Sequence, residues 1–317
     1  MPRIATLTMN PTIDVSYDVE VMRHTHKMRT TNEQYAPGGG GINVARVFQR
    51  LGGEALSVYL SGGATGPALD GLLAEHGLTC CRIPIAGSTR VAAAAHELST
   101  RKEYRFTPSG PHVTAEEWQA CLAALDAAAL DAPEGISALV LSGSLPPDVP
   151  VDFYARAAKV AGQRGIDVVL DTSGEALAAG IENGGLLLVK PSQGELEQLA
   201  GRKLESIEAI GEAAMEIVTR GQARLVAVTM GHNGGLLASA TGTRFIPALE
   251  IEAKSAVGAG DSFVAAMLYG LLTGKEPGEA FCLGMAAGSA AVLSPGSDLA
   301  QAADIARFHQ LICSRPG

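Results

Sequence analysis

An aspartate stands among small residues late in the chain, in Val257-Gly258-Ala259-Gly260-Asp261-Ser262-Phe263, just before an apolar stretch of helical character. Small residues let main chain come close to a ligand, and the amides at a helix start form an anion site. A carboxylate there would repel phosphate if anion binding were its only task. It makes sense if Asp261 takes a proton from an attacking hydroxyl while the amides of Gly258, Ala259 and Gly260 stabilise a transferring anionic group. The motif alone leaves that reading level with a plainer one, in which Asp261 is an ordinary helix N-cap.

A second stretch, Pro37-Gly38-Gly39-Gly40-Gly41-Ile42-Asn43-Val44-Ala45, places four consecutive glycines before a helical pattern. That is more glycine than a turn needs. It reads either as a mobile loop or as a wall where ligand hydroxyls meet bare backbone, with Asn43 adding an amide side chain. Asp14, just past the first apolar run, has the chemistry to accept hydrogen bonds from such hydroxyls, although a lone loop aspartate is more often a turn residue. Other phosphate and hydrolase signatures are missing. The chain has no G-x-x-x-x-G-K-[ST], no G-x-G-x-x-G after a strand, no H-E-x-x-H and no G-x-S-x-G.

The elements that must position these residues alternate. Short apolar runs at 4–9, 55–60, 138–141, 166–170, 186–189 and 225–229 read as buried strands. Helical patterns fall near 41–52, 66–76, 114–130, 150–164, 193–200 and 206–220. Strand–helix alternation predicts a parallel sheet covered by helices on both faces. Thr114 with Glu117 predicts a capping box at one helix start. Residues 12–36 and 85–107 break the rhythm with strand-like alternation and no helix, which predicts a small β-sheet lid formed by discontinuous segments of a single α/β domain spanning 1–317.

Bulk properties narrow the class. With 317 residues, 47% hydrophobic and 18% charged, the chain is long enough for a sizeable core. Its net charge of −9 makes nucleic acid and anionic membrane poor partners. The five cysteines, Cys80, Cys81, Cys121, Cys282 and Cys313, have no metal-ligand spacing and fit reduced thiols in a cytoplasmic protein. The N-terminus lacks the apolar core of a signal peptide. The apolar stretches near 263–273 and 280–293 are broken by Gly and Ser and read as buried helices rather than membrane spans.

Taken in order along the chain, these motifs resemble the ribokinase-like (PfkB) carbohydrate kinases over nearly the whole length. The glycine block with Ile42-Asn43-Val44-Ala45 is similar to the family's N-terminal signature, and 257–261 to its C-terminal one. Further similar stretches are Thr6-Leu-Thr8, Gly62-Gly-Ala-Thr-Gly66, Tyr104-Arg-Phe106, Ser142-Gly-Ser-Leu-Pro-Pro147, Asp171-Thr-Ser-Gly-Glu-Ala-Leu177 and Ala286-Ala-Gly-Ser-Ala-Ala291. Within the family the chain is most similar to the minor bacterial 6-phosphofructokinase branch.

The resemblance implies a ribokinase-like fold and ATP-dependent phosphorylation of a sugar phosphate, fructose 6-phosphate first among them. It implies Asp261 as catalytic base and the amides of Gly258, Ala259 and Gly260 as anion hole. Asp14, Gly39, Gly40 and Asn43 would meet the sugar. Lys27, Arg29, Arg90 and Arg105 would gather around its existing phosphate, with Ser144 helping. Lys190, Ser192, Glu195, Thr229, Gly231 and Gly234 would line the nucleotide site together with Gly258 and Gly260. Glu195 would organise magnesium through water, and a potassium ion would sit near Ser255 and Val257. A homodimer paired through the lid is implied as well. Cations confined to a lid on an acidic chain agree with phosphate recognition, because Arg and phosphate form paired, charge-assisted bonds.

Departures from the family pattern are Ser192 where Asn is usual in Asn-x-x-Glu, and Ala256 where Thr is frequent. Ser192 implies weaker hold on magnesium or nucleotide. Rival readings are 1-phosphofructokinase, tagatose-6-phosphate kinase, a kinase for unphosphorylated sugars or nucleosides, and a non-catalytic sugar-phosphate sensor. Gly40 favours fructose 6-phosphate, since relatives acting on the other two sugar phosphates typically carry Lys there.

Overall fold

A computed structural model describes residues 1–126, 135–251, 255, 257–293 and 298–314. Its main sheet has nine strands. Seven run parallel, in the spatial order β5 (Thr79–Ile85), β4 (Glu54–Gly62), β1 (Arg3–Thr8), β8 (Ala138–Ser142), β9 (Asp167–Asp171), β10 (Leu186–Val189) and β11 (Ala223–Thr229). The hairpin β12 (Gly235–Ser239) and β13 (Gly242–Ile246) continues the sheet antiparallel beyond β11. The expected sheet is therefore present and mostly parallel. The hairpin is an addition, because its strands are short, begin with Gly235 and Gly242 and follow Gly234, residues that weaken a strand pattern.

The central strands are apolar throughout because both faces are covered. In β8, Leu139 and Leu141 face one core while Ala138 and Val140 face the other, and none of the four has exposed surface. The first core is roofed by α3 (Ala115–Ala124), α4 (Phe153–Gln163), α5 (Gly174–Asn183), α6 (Gln193–Ala200) and α7 (Ile207–Thr219). The second is closed by α1 (Gly40–Arg50), α8 (Ala259–Leu272), α9 (Pro277–Ala291) and α10 (Ala302–Cys313). The last helix, α2 (Gly66–Glu75), packs Leu69 and Leu73 into a smaller cluster with Ile13 and Ile42. The capping box at α3 has both halves, Thr114 Oγ1 accepting from the Glu117 amide and Glu117 from the Thr114 amide. The end of the helical pattern predicted over 114–130 falls partly outside the described residues.

A second, four-stranded sheet stands apart from the first, in the order β3 (Thr30–Gly38), β2 (Thr12–Val19), β6 (Arg90–Glu97) and β7 (Lys102–Phe106). Its central pair, β2 with β6, is parallel, and the outer pairs are antiparallel. Its second segment begins at Arg90 because Ile85 still belongs to β5, paired with Gly62. Among the described residues, no helix is long and apolar enough to cross a membrane.

Helix α8, which carries Asp261, is held mainly by α9. Phe263 and Phe281 meet edge to face with ring centroids 5.8 Å apart, and both are buried. Phe281→Ala empties that contact and should lower unfolding free energy by about 3–5 kcal/mol, read from urea denaturation followed by circular dichroism.

Candidate active site

Parallel strands bring their C-terminal ends to one edge of the sheet, and the order reverses between β1 and β8. In open α/β sheets the crevice at such a reversal is the preferred place for a ligand. Here the starts of two helices converge on it. Helix α1 begins at Gly40, directly over the end of β8. A Cβ at Gly40 would lie 2.2 Å from Ser142 Oγ and 3.0 Å from the Gly143 nitrogen, so no side chain fits in this backbone arrangement. The preceding Gly39, at φ 116°, adopts a conformation that L side chains rarely reach. The glycine block is thus an ordered helix start, and Arg46 supports it by donating from Nη1 to the Pro37 carbonyl at 3.1 Å.

Helix α8 begins at Ala259 with Gly258 in the left-handed region (φ 69°) as its N-cap. Asp261 is therefore inside the first turn and is not the cap. Its Oδ2 accepts a hydrogen bond of 2.9 Å from Asn43 Nδ2 on α1, 218 positions away in sequence. Burial drives the Asp261 pKa up to about 7, and the negative charge of Asp171 pushes the same way. The Asn43 bond and the Lys190 cation oppose the rise, while Asp14 adds to it. A carboxyl poised near neutrality can take up a proton at physiological pH.

Around Asp261 the charges are ordered. Lys190, just past β10, pairs with Asp171 at the end of β9 through Nζ···Oδ1 at 3.0 Å, and both side chains are largely buried. Burial works against the Lys190 cation, yet Asp171, with Glu195 and Asp261, holds its pKa above the ordinary lysine value. Burial raises the Asp171 pKa against the opposing pull of Lys190. A Cβ at Gly260 would lie 3.4 Å from Lys190 Nζ, so this ammonium sits beside the start of α8. Amides and a cation at one spot suit an anionic group.

Asp14, on β2 of the small sheet, is raised to about 6, first by burial. The Thr12 hydrogen bond and the charges of Arg90, Arg46 and Arg105 act in the opposite direction. Its partner strand leaves it space only because residue 38 is glycine, where a Cβ would sit 2.1 Å from Asp14 Oδ2. Asp14, Asn43, Arg90, Arg105, Lys190 and Asp261 thus share one electrostatic neighbourhood. Arg90 is fixed by two main-chain carbonyls, those of Pro108 and Asn10, at 2.9 and 2.8 Å. Arg105 pairs with Glu103. Ser144 accepts from Asn10 Nδ2 at 3.2 Å. Lys27 and Arg29 lie exposed in the segment between β2 and β3, and neither side chain has an ion pair among the described residues that would draw it to the cluster.

Toward the far side of the crevice, Ser192 and Thr229 form a β-bridge, and the Thr229 amide donates to the Pro191 carbonyl. Gly231 opens a single 3-10 turn, and Gly234 closes it with its carbonyl accepting from the Met230 amide. Ser192 caps α6 in a second capping box, its Oγ accepting from the Glu195 amide and Glu195 Oε2 accepting from the Ser192 amide at 2.7 Å. The departure to Ser thus has a local reason, and it sets the orientation of Glu195. Ser255 Oγ accepts from the Val257 amide at 3.2 Å; residue 256 between them lies outside the described residues.

A model of the pfkB family carbohydrate kinases matches residues 7–303. The chain belongs to this family. As a pfkB-family kinase it is 41% identical over 310 residues to the ATP-dependent 6-phosphofructokinase isozyme 2 of Mycobacterium tuberculosis, covering 98% of this chain and 90% of that protein. It is 33% identical to the 1-phosphofructokinase of Bacillus subtilis, covering 92% and 93%. A crystal structure of phosphofructokinase-2 from Escherichia coli in complex with fructose-6-phosphate superposes with a TM-score of 0.90 at 34% identity, covering 99% of this chain and all of that one.

Two members of the kinase's crevice escaped the sequence reading of sites. Asp171 had a usable signal, an acid closing a buried apolar strand. Asn10, buried between β1 and β2, had none beyond its polarity. Because Asp261 has a folded pKa of about 7 against 3.8 when free, its ionisation costs native stability increasingly as pH rises from about 4 to about 7. Asp261→Asn should therefore stabilise the fold, with a gain on the order of 2 kcal/mol larger at pH 8 than at pH 5 in denaturant titrations.

Proposed function

We infer that this pfkB-family kinase transfers the γ-phosphoryl group of ATP to the 1-hydroxyl of fructose 6-phosphate. The observation that carries the reading is the buried Asp261 carboxylate, held by Asn43 at 2.9 Å in the first turn of α8 with its pKa near 7. Asp261 removes the hydroxyl proton as the oxygen attacks. The amides of Gly258, Ala259 and Gly260, with Lys190 beside them, offset negative charge on the transferring group. Asp14, Gly39 and Asn43 hold sugar hydroxyls. Arg90, Arg105 and Ser144 receive the phosphate already on the sugar, and the small sheet acts as a lid that brings Lys27 and Arg29 to it and excludes water.

The nucleotide lies along Lys190, Ser192, Glu195, Thr229, Gly231 and Gly234. No cluster of three metal-ligating side chains exists among the described residues, which suits magnesium, an ion that keeps several waters and leans on substrate phosphates. Glu195, close enough to Asp171 to act on its charge, would hold that ion through water, and the ion would neutralise phosphate charge. Potassium near Ser255 and Val257 belongs to the same reading.

Gly40 supports the choice of sugar. The lysine typical of relatives acting on other sugar phosphates would collide here with Ser142 and Gly143. The small sheet also exposes Tyr35 by 56%, Val91 by 40% and Phe106 by 52%, apolar surface suited to pairing with the same sheet of a second copy. Five free thiols fit the cytoplasm.

Steady-state kinetics with fructose 6-phosphate, fructose 1-phosphate, tagatose 6-phosphate and fructose, followed by ADP release, test the assignment. The highest kcat/KM should belong to fructose 6-phosphate, and no turnover with any of the four would leave a sensor instead. Asp261→Asn should lower kcat by about 10²–10⁴ with sugar binding kept, and near-normal turnover would remove Asp261 from the role of base. Arg90→Ala should raise KM for the sugar phosphate well above any change for ATP, and an equal change in both would refute the phosphate clamp.

A further inference from the structure

Asn10 has no task in the reaction as described, yet it is only 3% exposed and joins stretches far apart in the chain. Its Nδ2 donates to the Ser109 carbonyl at 2.8 Å and to Ser144 Oγ at 3.2 Å. Its own carbonyl accepts from Arg90 Nη2 at 2.8 Å, while Arg90 Nη1 donates to the carbonyl of Pro108, the neighbour of Ser109, at 2.9 Å. One asparagine thus sets both walls between which the Arg90 guanidinium is stretched.

The orientation of the amide follows from chemistry. A carbonyl only accepts, so the atom facing Ser109 must be the amide nitrogen. That turns Oδ1 toward Gly110, where a Cβ would lie 2.2 Å away, and leaves Oδ1 buried without a partner among the described residues. An unpaired buried amide oxygen is unfavourable, and an apolar residue would fill the same space without that cost. The donor end of Asn10 is therefore what the site uses. Its effect on Ser144 is specific. With Oγ accepting from Nδ2, the serine hydrogen is left free, and Ser144 donates to no group among the described residues. Arg90 likewise has five N–H donors, of which two are committed to carbonyls, and its Nε is buried without a partner. Ser109 and Ser144 both line an open recess with Asp148 and Thr172, so the serine hydroxyl borders space that a ligand can enter, and Arg90 lies near enough to Asp14 to act on its charge.

We propose that Asn10 is a positioning residue for the phosphate that the sugar already carries. It points the Ser144 hydroxyl outward as a donor and fixes the plane of Arg90 so that the uncommitted N–H bonds of its two terminal nitrogens face the same phosphate. This role rests on the sugar-phosphate reading of the site.

The test is steady-state kinetics of the full chain as wild type, Asn10→Ala and Asn10→Asp, with fructose 6-phosphate and ATP each varied at saturation of the other. Loss of the two Nδ2 bonds should raise KM for fructose 6-phosphate about tenfold, with KM for ATP and kcat held within about twofold. Asn10→Asp keeps the volume but cannot donate to the Ser109 carbonyl, so it should show the same split and decides the matter if the alanine variant does not fold. In a Ser144→Ala background, Asn10→Ala should add clearly less than it does alone. An active wild type whose variants raise both KM values by the same factor, or leave KM for fructose 6-phosphate unchanged, overturns the role of Asn10 alone. A wild type inactive on fructose 6-phosphate overturns the substrate reading and this proposal with it.

Discussion

A carboxylate taken out of water is the condition on which the rest of the site depends. Asp261 keeps one strong partner, the Asn43 amide, and the two residues come from helices that begin at opposite ends of the sequence. Bringing them together requires α1 and α8 to start side by side, which in turn requires the second core to fix both. Phe263 and Phe281 lock α8 against α9, and Val44, Val47 and Phe48 seat α1 in the same core. Packing on that face of the sheet is therefore what sets the proton affinity of Asp261, because burial is the largest contribution to its raised pKa.

The site separates two acids by their surroundings. Asp14 and Asp261 are both buried and both raised, but Asp14 lies among three arginines, and Asp261 lies near another carboxylate. Asp171 performs two opposing services. It raises the proton affinity of Asp261 directly, and it keeps Lys190 charged and in place, which lowers that affinity. A buried pair of this kind is weak evidence for stability, since desolvation offsets much of the attraction. Its better explanation is electrostatic: it holds a cation at the start of α8 inside a chain with a net charge of −9.

The sheet and most helices were legible because strands buried on both faces are continuously apolar and helices carry their own punctuation. Thr114 with Glu117 is the plainest instance. The β12–β13 hairpin was not, since Gly234, Gly235 and Gly242 read as loop, and α5 was hidden by its start at Gly174. Site residues divided along a similar line. Asp261, the glycine block and Asn43 lie in local motifs, so their chemistry is visible in sequence. Asp171 and Asn10 act through partners nineteen and more positions away, and no local pattern encodes such a distance. Motif matching gathered Lys27 and Arg29 with Arg90, although the structure leaves the first two exposed between β2 and β3 and anchors the third.

Much of the crevice is made by what its residues lack. Asp14 has room because residue 38 bears no Cβ, and α1 can approach β8 because residue 40 bears none. Main chain brought this close offers fixed amide dipoles that need no rotamer to be frozen when a ligand arrives, so little entropy is lost at the reacting end. Beside Asp14 the groups are the long, ionic side chains of Arg90 and Arg105, and such groups gain direction only when something else fixes them. The two main-chain carbonyls that hold Arg90 supply that direction, so the orientation of its guanidinium depends on how the 108–110 segment and the β1–β2 turn are tied together.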